Sequence, residues 1–477
     1  MRSLVASIAL LALISPWTMS QEEPANARPI AWAIRDSGRP GPTVLITGGL
    51  HGDEPAGAEA ATQIAGWTPS RGRWIVVPRA NERALRAGTR LSPGAPKAER
   101  NLNRAFPVRG GQVEPIGDVA QQLWRLIEEH EPEVLIDLHE GFDVHRQNEK
   151  SVGSSVIWGG PQRAESLAEA MLESVNAELA ESEKFDRLKT PIGGSLARAF
   201  ADTRHRPAFI LETTTKGRPL PRRVRQHRIL VHRLLTELKM IDHESSVRIG
   251  DSAKPGALRV GVFHDSGVSA KGPKELSGLA DEQVVVRQLC REDLQDGGLD
   301  ELEILVFPGG SGSGQAKALG ESGREIVREF VRRGGGYVGF CAGGYLAANN
   351  YSWSLGILDL DVIDRQHWAR GRGPVPLSWS AAGQEHFELT PQSPVLYVNG
   401  PIWSPSNDPD LPDATVLATF AGEVHKEGVP GGVMPNTPAI VLGRFGEGRV
   451  ICSSPHPELT DGYEAIAMRL LELAAGR

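Results

Sequence analysis

Short apolar runs rich in β-branched residues alternate with amphipathic stretches along most of the chain. The apolar runs predict strands at residues 43–47, 74–78, 134–138 and 208–211, then at 258–263, 303–307, 337–340 and 449–453. A period near 3.6 residues predicts helices at 118–129, 164–179, 222–240, 321–333 and 463–475. This alternation favours α/β layers with mostly parallel sheets.

A polar stretch without periodicity, residues 243–256, separates the two series of strands and helices. We interpret it as a linker. The sequence therefore predicts two α/β domains, at residues 25–242 and 257–477, each within the usual size range.

The amino-terminal pattern is typical of a secretory signal. Arg2 precedes an apolar run at residues 4–14, and the small residues Thr18 and Ser20 follow it. This stretch of eleven residues, interrupted only by Ser7, is too short to span a bilayer, which needs about 20. We expect a signal peptide at residues 1–20 and an exported protein, periplasmic or extracellular, with no stable membrane insertion after signal removal. A buried amino-terminal helix is the alternative.

Charge and cysteine content exclude two classes of protein. The 477 residues carry 52 Lys and Arg against 59 Asp and Glu, a net charge of −7, which argues against a nucleic-acid binder. Three cysteines are too few, and odd in number, for a disulfide scaffold. We interpret the arginines between residues 222 and 233 as a solvated helix face.

Candidate metal ligands follow two of the predicted strands. His51 and Glu54 come shortly after the strand at 43–47, and His139 directly follows the strand at 134–138. The carboxyl ends of parallel strands meet at one edge of a sheet, so these side chains should lie close together. Imidazole and carboxylate bind Zn²⁺, and a catalytic zinc usually has three protein ligands. Each feature alone is weak, since a histidine at a strand end is often structural, but together they predict a zinc site.

A donor pair lies between these ligands in the sequence. Asn103 and Arg104 offer an amide and a forked guanidinium that can bind a carboxylate. A solvated turn is the alternative interpretation of the same residues.

The motifs HGDE, NLNRAFP, IDLHEG and ILETT resemble the zinc carboxypeptidase superfamily, and within it the succinylglutamate desuccinylase/aspartoacylase branch, over about residues 28–240. The resemblance implies a mixed sheet with helices on both faces. It also implies the following roles: zinc ligands His51, Glu54 and His139; substrate-carboxylate binding by Asn103 and Arg104; general base Glu212; oxyanion stabilisation by Arg90. Asn101 stands where the family usually has Asp, which could alter substrate orientation.

A second constellation lies in the other half of the chain. Cys341 follows the strand at 337–340 between small residues, the layout of a nucleophile elbow. His456 and Glu458 follow the strand at 449–453 and can act as base and orienting carboxylate. The Pro308-Gly309-Gly310 segment could line an oxyanion pocket. We interpret the other two cysteines as small buried residues.

The motifs FPGG, GFCAGGYLA and SPHPE resemble class I glutamine amidotransferase-like domains, in particular those found in the amino-terminal region of biotin–protein ligases. The resemblance runs from about residue 257 to the carboxyl terminus and implies a flavodoxin-like domain. Such domains either keep an active thiol or survive as binding modules.

We therefore expect an exported zinc hydrolase that uses metal-activated water to cleave an amide bond next to a free carboxylate. The substrate would be an N-acyl amino acid or a short peptide. A peptidoglycan-fragment peptidase with the same residues, and a binding or sensory protein with an inactive thiol domain, are the alternatives. The sequence does not predict the oligomeric state.

Overall fold

The computed structural model describes residues 29–177, 179–242, 249–250, 255–387 and 393–477. The predicted signal at 1–20 and most of the predicted linker lie outside these residues. None of the helices within the described ranges combines the length and apolar character needed to cross a membrane.

A seven-stranded mixed sheet forms the centre of the first half of the chain. Its strands are β1 (Ala33–Asp36), β2 (Thr43–Gly48), β3 (Arg73–Val77), β4 (Val134–Gly141), β5 (Ser155–Gly159), β6 (Asp186–Lys189) and β7 (Ala208–Thr214), in the spatial order β1-β3-β2-β4-β7-β5-β6. β2 pairs in parallel with β3 and β4, whereas β1 and β5 pair antiparallel with β3 and β7. The mixed sheet implied by the sequence resemblance is confirmed.

The α-helices described along this half of the chain are α1 (Pro55–Ile64), α2 (Glu82–Ala87), α3 (Asp118–His130), α4 (Gln162–Asn176), α5 (Leu196–Arg204) and α6 (Leu220–Glu237). The predicted apolar face of α3 is buried at Leu123, Leu126 and Ile127, in one core cluster with residues of β2, β3 and β4. β2, β3 and β4 are buried almost throughout, because helices cover a sheet of this kind on both sides.

An eight-stranded sheet forms the centre of the second half. Its strands are β8 (Leu258–Phe263), β9 (Val284–Leu289), β10 (Ile304–Phe307), β11 (Gly336–Phe340), β14 (Leu377–Trp379), β17 (Thr415–Phe420), β18 (Pro438–Phe445) and β19 (Gly448–Ser453). Four shorter strands form two separate pairs: β12 (Leu360–Ile363) with β16 (Ile402–Pro405), and β13 (Arg372–Val375) with β15 (Val395–Val398). The helices are α7 (Lys271–Ser277), α8 (Arg291–Gln295), α9 (Gly312–Arg332), α10 (Ala342–Ala347), α11 (Ala381–His386) and α12 (Glu464–Ala475).

The parallel part of this sheet has a doubly wound order. Its neighbours run β9-β8-β10-β11-β19, which is the order 2-1-3-4-5 when these five strands are counted along the chain. This order defines flavodoxin-like folds, so the predicted fold class is confirmed. Antiparallel strands β18, β17 and β14 extend the sheet beyond β19.

Contacts divide the described chain into two compact units that interleave along the sequence. Unit 1 contains the residues up to Glu140, Ser155–Glu212 and Arg233–His243; unit 2 contains Gly141–Ser154, Thr213–His232 and the residues from Glu244 onward. This division differs from the predicted single boundary between 25–242 and 257–477. Residues of the predicted first domain, including most of α6, group with the second half.

The arginines of α6 explain part of this difference. Arg228 is fully buried and forms an ion pair with Asp293, and Arg225 pairs with Asp296 at 2.5 Å. Arg222 bonds Asp265 through two nitrogens at 3.1 and 3.2 Å. The interpretation of these arginines as a solvated face is therefore wrong for Arg228 and Arg225, because carboxylates of unit 2 neutralise them inside the protein.

Candidate active sites

The first candidate site is built where β2 and β4 end side by side. The two strands are parallel and Gly48 of β2 is level with Leu138 of β4, so the turn after β2 lies beside His139. α1 begins at Pro55, with Glu54 in the capping position. A Cβ at Gly57 would lie 2.4 Å from the Leu138 carbonyl oxygen, so only glycine permits this close approach of α1 to β4.

His51, Glu54 and His139 converge as predicted. Each is buried, and one ligand atom from each lies within 4.8 Å of the others. His51 Nδ1 is 2.9 Å from Glu54 Oε1, and His139 Nδ1 is 2.7 Å from Glu54 Oε2. Two imidazole nitrogens and a carboxylate in a buried cluster are the donor set of a catalytic zinc site, so these residues fit the metal that the sequence implied.

The remaining imidazole nitrogens are held by residues behind the cluster. His139 Nε2 is 2.8 Å from Asp137 Oδ2, and the fully buried Asp137 accepts a hydrogen bond from Thr47 Oγ1 at 2.7 Å. His51 Nε2 is 3.1 Å from Asn101 Oδ1. With a metal at Nδ1, the ring proton would lie on Nε2, where these two residues can accept it.

Electrostatics at the cluster favour an ionised Glu54. Burial alone would raise the pKa of Glu54, but the charge of His139 and the hydrogen bonds from both imidazoles hold that pKa well below its usual range. Burial would likewise lower the pKa of His139, yet Asp137 and Glu54 raise it well above the usual value. The cluster therefore concentrates negative charge around its histidines, which suits a cation.

Glu212 lies on β7 beside these ligands. Its side chain is buried, and its Oε2 has no hydrogen-bond partner among the described residues. Burial, reinforced by Glu54 and Asp137, raises the pKa of Glu212 to about 8 against the opposing effects of His139 and Arg90. A carboxyl group with such a pKa can accept and return a proton near neutral pH.

Arginine and amide donors lie at the edge of the cluster. Arg90 is half exposed and donates a hydrogen bond to Glu54 Oε1. Burial and the charge of Arg90 lower the pKa of Arg104, so the two guanidinium groups reinforce one positive region. This arrangement suits an anionic substrate group.

Asn103 has a partner at each end of its amide. Its Oδ1 accepts from the Leu196 amide at 3.1 Å, and its Nδ2 is 3.3 Å from His139 Nε2. When His139 Nε2 carries the proton that it gives to Asp137, it cannot also accept from Asn103. The Asn103 amide is then free to donate to a ligand, which is compatible with the predicted substrate contact.

Sequence reasoning missed Asp137 and did not predict the contact between Asn101 and His51. Asp137 and His139 are two residues apart on a strand, so they point to the same face, and this spacing was the available signal. The side chain of Asn101 contacts His51, and its expected effect on substrate orientation stays a prediction.

The second candidate site follows β11 in unit 2. Cys341 has a φ of +49°, an uncommon conformation for a residue with a side chain, and its Sγ is 3.3 Å from the Val398 carbonyl oxygen. The adjoining short strand-to-helix turn matches the predicted nucleophile elbow. Cys290 and Cys452 are fully buried, and burial raises the pKa of both thiols.

The structure also brings His456 and Glu458 to this thiol. His456 Nδ1 is 2.7 Å from Glu458 Oε1, and the ring is hydrogen-bonded to Cys341. Burial lowers the pKa of His456, but Glu458 and Cys341 outweigh it and raise the pKa to about 10. A Cβ at Gly309 would lie 2.5 Å from His456 Cε1, so the predicted glycine segment packs directly against this ring.

Comparisons with known proteins find a separate match for each half of the chain. Residues 40–237 match the family model described as the succinylglutamate desuccinylase/aspartoacylase catalytic domain, and residues 274–373 match the one described as biotin-protein ligase, N terminal. Over 106 residues the chain is 38% identical to N-alpha-acetyl-L-2,4-diaminobutyric acid deacetylase of Halomonas elongata, covering 21% of this chain and 29% of that protein.

Two further proteins are similar to parts of the chain. Over 63 residues the chain is 35% identical to biotin–protein ligase of Schizosaccharomyces pombe, covering 13% of this chain and 10% of that protein. The product-bound structure of Cell Shape Determinant protein Csd4 from Helicobacter pylori has a TM-score of 0.38 and 21% identity, over 46% of this chain and 57% of that one. The chain therefore spans less than two thirds of each of these proteins. It joins a region of the succinylglutamate desuccinylase/aspartoacylase type to a region of the biotin–protein ligase amino-terminal type, as its motifs indicated.

Proposed function

We propose that unit 1 is a zinc-dependent hydrolase that removes the acyl group from an N-acyl amino acid with a free carboxylate. The observation that carries this proposal is the buried His51, Glu54 and His139 cluster with Glu212 beside it. The family match over residues 40–237 and the similarity to a deacetylase of an acetylated amino acid support the same reaction class.

The side chains of unit 1 can divide the work of amide hydrolysis. Zinc, when bound, supplies Lewis-acid polarisation of a carbonyl and acidification of water. Glu212 takes the proton of the attacking water and returns it to the leaving amine, which its raised pKa permits. Arg90 stabilises the negative charge that develops on the carbonyl oxygen.

Substrate binding falls to the neighbouring donors. Arg104 and the Asn103 amide bind the free carboxylate of the amino acid, because forked guanidinium and amide donors match carboxylate oxygens. This contact would fix the scissile amide next to the metal ligands. It also predicts that a substrate without the carboxylate binds poorly.

A substrate panel tests the proposal. The zinc-loaded full-length protein would be incubated with N-acyl amino acids, with the same compounds carrying an amidated carboxylate, and with short cell-wall peptides. We expect turnover of the free acids and little turnover of the amidated controls. Preference for the cell-wall peptides would support the peptidase alternative, and no turnover of any compound would contradict the hydrolase.

A second candidate activity concerns unit 2. The contacts among Cys341, His456 and Glu458 favour a thiol-dependent acyl-transfer or hydrolase site over a silent binding module. Trapping an acylated Cys341 with an activated ester, detected by mass spectrometry and absent in Cys341→Ser, would test this. Failure to label Cys341 would favour the binding module.

Export remains part of the proposal. Residues 1–20 predict it, and fractionation of cells that produce the full-length chain would test it. Protein found only in the cytoplasm would contradict the signal peptide.

A further inference from the structure

The two imidazoles of the proposed metal site have different partners behind them. His139 Nε2 faces a buried carboxylate, Asp137, at 2.8 Å. His51 Nε2 faces a neutral amide, Asn101, at 3.1 Å. The site is therefore asymmetric in the charge that supports its two nitrogen ligands.

Asn101 is held in place by local backbone structure. It immediately precedes the short 3₁₀ turn Leu102–Arg104, whose first amide-to-carbonyl bond runs from Arg104 N to Asn101 O at 2.9 Å. The same turn carries Asn103 and Arg104, which we assign to substrate binding. A change at residue 101 could thus act on His51 without removing either donor.

We infer that Asn101 is a positioning residue that orients His51 for metal binding, and that its neutral amide makes His51 the weaker of the two imidazole ligands. The inference rests on the proposed metal-dependent function. It extends that function by assigning a determinant of metal affinity to a residue 50 positions away from the ligand it supports.

The reasoning depends on the position of one proton. His51 Nδ1 faces Glu54, so it can bind a cation only if the ring proton is on Nε2, where Asn101 Oδ1 accepts it. A carboxylate in place of this amide would accept the same proton in a charge-assisted bond, which is about twice as strong, and would make the ring a better electron-pair donor.

The Asn101 amide can also stabilise the other tautomer of His51, which an ionised carboxylate cannot do. If the Asn101 side chain turns over, its NH₂ group faces His51 Nε2 and stabilises the tautomer with the proton on Nδ1. That proton points at Glu54 and competes with a cation for the same position. An aspartate has only acceptor oxygens when ionised, so Asn101→Asp should remove the competing state.

The experiment measures metal affinity without measuring catalysis. Full-length protein would be stripped with a chelator, and its zinc dissociation constant would be determined at pH 7.5 by competition with a chromophoric chelator. Second-sphere substitutions typically change metal affinity by about 10–100-fold. We expect Asn101→Asp to tighten zinc binding by about 10-fold and Asn101→Ala and Asp137→Asn each to weaken it by at least about 10-fold.

A control variant separates the effect of the Asn101–His51 contact on zinc affinity from the effect of changing the net charge near the site. Asp53 lies on the same turn as the ligands but is exposed, so Asp53→Asn changes the local charge without touching either imidazole. We expect its zinc affinity to stay within about 3-fold of the wild type. Circular dichroism and thermal melts of each stripped variant show whether the fold is retained.

The outcomes distinguish the inference from the proposed function. If the wild type binds one zinc and Asn101→Asp binds it no more tightly, or if Asp53→Asn has as large an effect, the role of Asn101 is refuted while the metal site stands. If neither the wild type nor Asn101→Asp binds zinc, the proposed metal-dependent function itself fails.

Discussion

Replacing Glu212 by Gln should remove activity and stabilise the metal-free protein at alkaline pH. The substitution keeps the size of the side chain but removes its charge and its capacity to accept a proton. General acid–base groups contribute about 10²–10⁴-fold to rate, so kcat should fall by at least 100-fold. Zinc should stay bound, because Glu212 is outside the His51, Glu54 and His139 ligand cluster.

The stability effect follows from the pKa of the buried carboxyl. Burial raises the pKa of Glu212 from 4.5 to about 8, and one pKa unit corresponds to about 1.4 kcal/mol. The ionised carboxylate thus costs about 5 kcal/mol of folding free energy well above pH 8. The folded state binds the proton more tightly, so the cost is absent below pH 4.5, grows between pH 4.5 and 8, and is complete above pH 8.

Glu212→Gln should recover only part of the folding free energy that the ionised carboxylate costs. Glu212 Oε2 has no hydrogen-bond partner among the described residues, so the corresponding end of the buried amide in the variant would lack one too. An unsatisfied buried polar group of this kind costs about 1–3 kcal/mol. We therefore expect the variant to be more stable than the wild type by about 2–4 kcal/mol at pH 8.5 and to have little or no advantage at pH 5.

The assay compares thermal melts of chelator-treated wild type, Glu212→Gln and a control at both pH values. Glu133→Gln makes the same chemical change at an exposed position and should show no pH-dependent difference. A stability difference that is equal at pH 5 and pH 8.5 would refute the raised pKa of Glu212. Undiminished hydrolysis by Glu212→Gln would remove Glu212 from the mechanism.

Other perturbations test the remaining features. Arg228→Met should lower the free energy of unfolding by about 3–5 kcal/mol in urea, because it removes the closest ion pair of the buried Asp293 and leaves only the longer one, with Arg225 at 3.7 Å. Arg233→Met, at a partly exposed position, should cost less than about 1 kcal/mol, and equal losses would contradict the burial. Iodoacetamide should label Cys341 faster than the other two cysteines at pH 7, and His456→Ala should abolish this advantage. The imidazolium of His456 is present below its pKa of about 10, so its contribution to the labelling of Cys341 should persist to pH 9; peptide mapping that shows equal labelling of all three thiols at pH 7 would contradict it. Removing zinc with a chelator should abolish hydrolysis and lower the melting temperature, and added zinc should restore both; activity that survives chelation would exclude a metal mechanism.

The sequence predicted those parts of the fold and site that depend on local pattern. His51 and His139 each follow an apolar run, and the rule that parallel strands end at one edge was enough to bring them together. Edge strands such as β6 and β13 were not predicted. They are short and partly exposed, and β13 contains both glycine and proline, so neither shows a strong apolar pattern.

Local sequence patterns did not predict contacts between residues far apart in the chain, as Asn101 and Arg228 show. Asn101 meets a histidine 50 residues earlier, and Arg228 meets a carboxylate 65 residues later. The amphipathic period of α6 gives the direction in which an arginine points but not what lies there. Water and a buried carboxylate both satisfy a guanidinium, and only the position of Asp293 in the folded protein decides between them. The sequence likewise does not show what the Asn101 amide contacts, because water in a solvated turn would satisfy it equally well. Only the position of the His51 ring in the folded protein assigns Asn101 to the metal site.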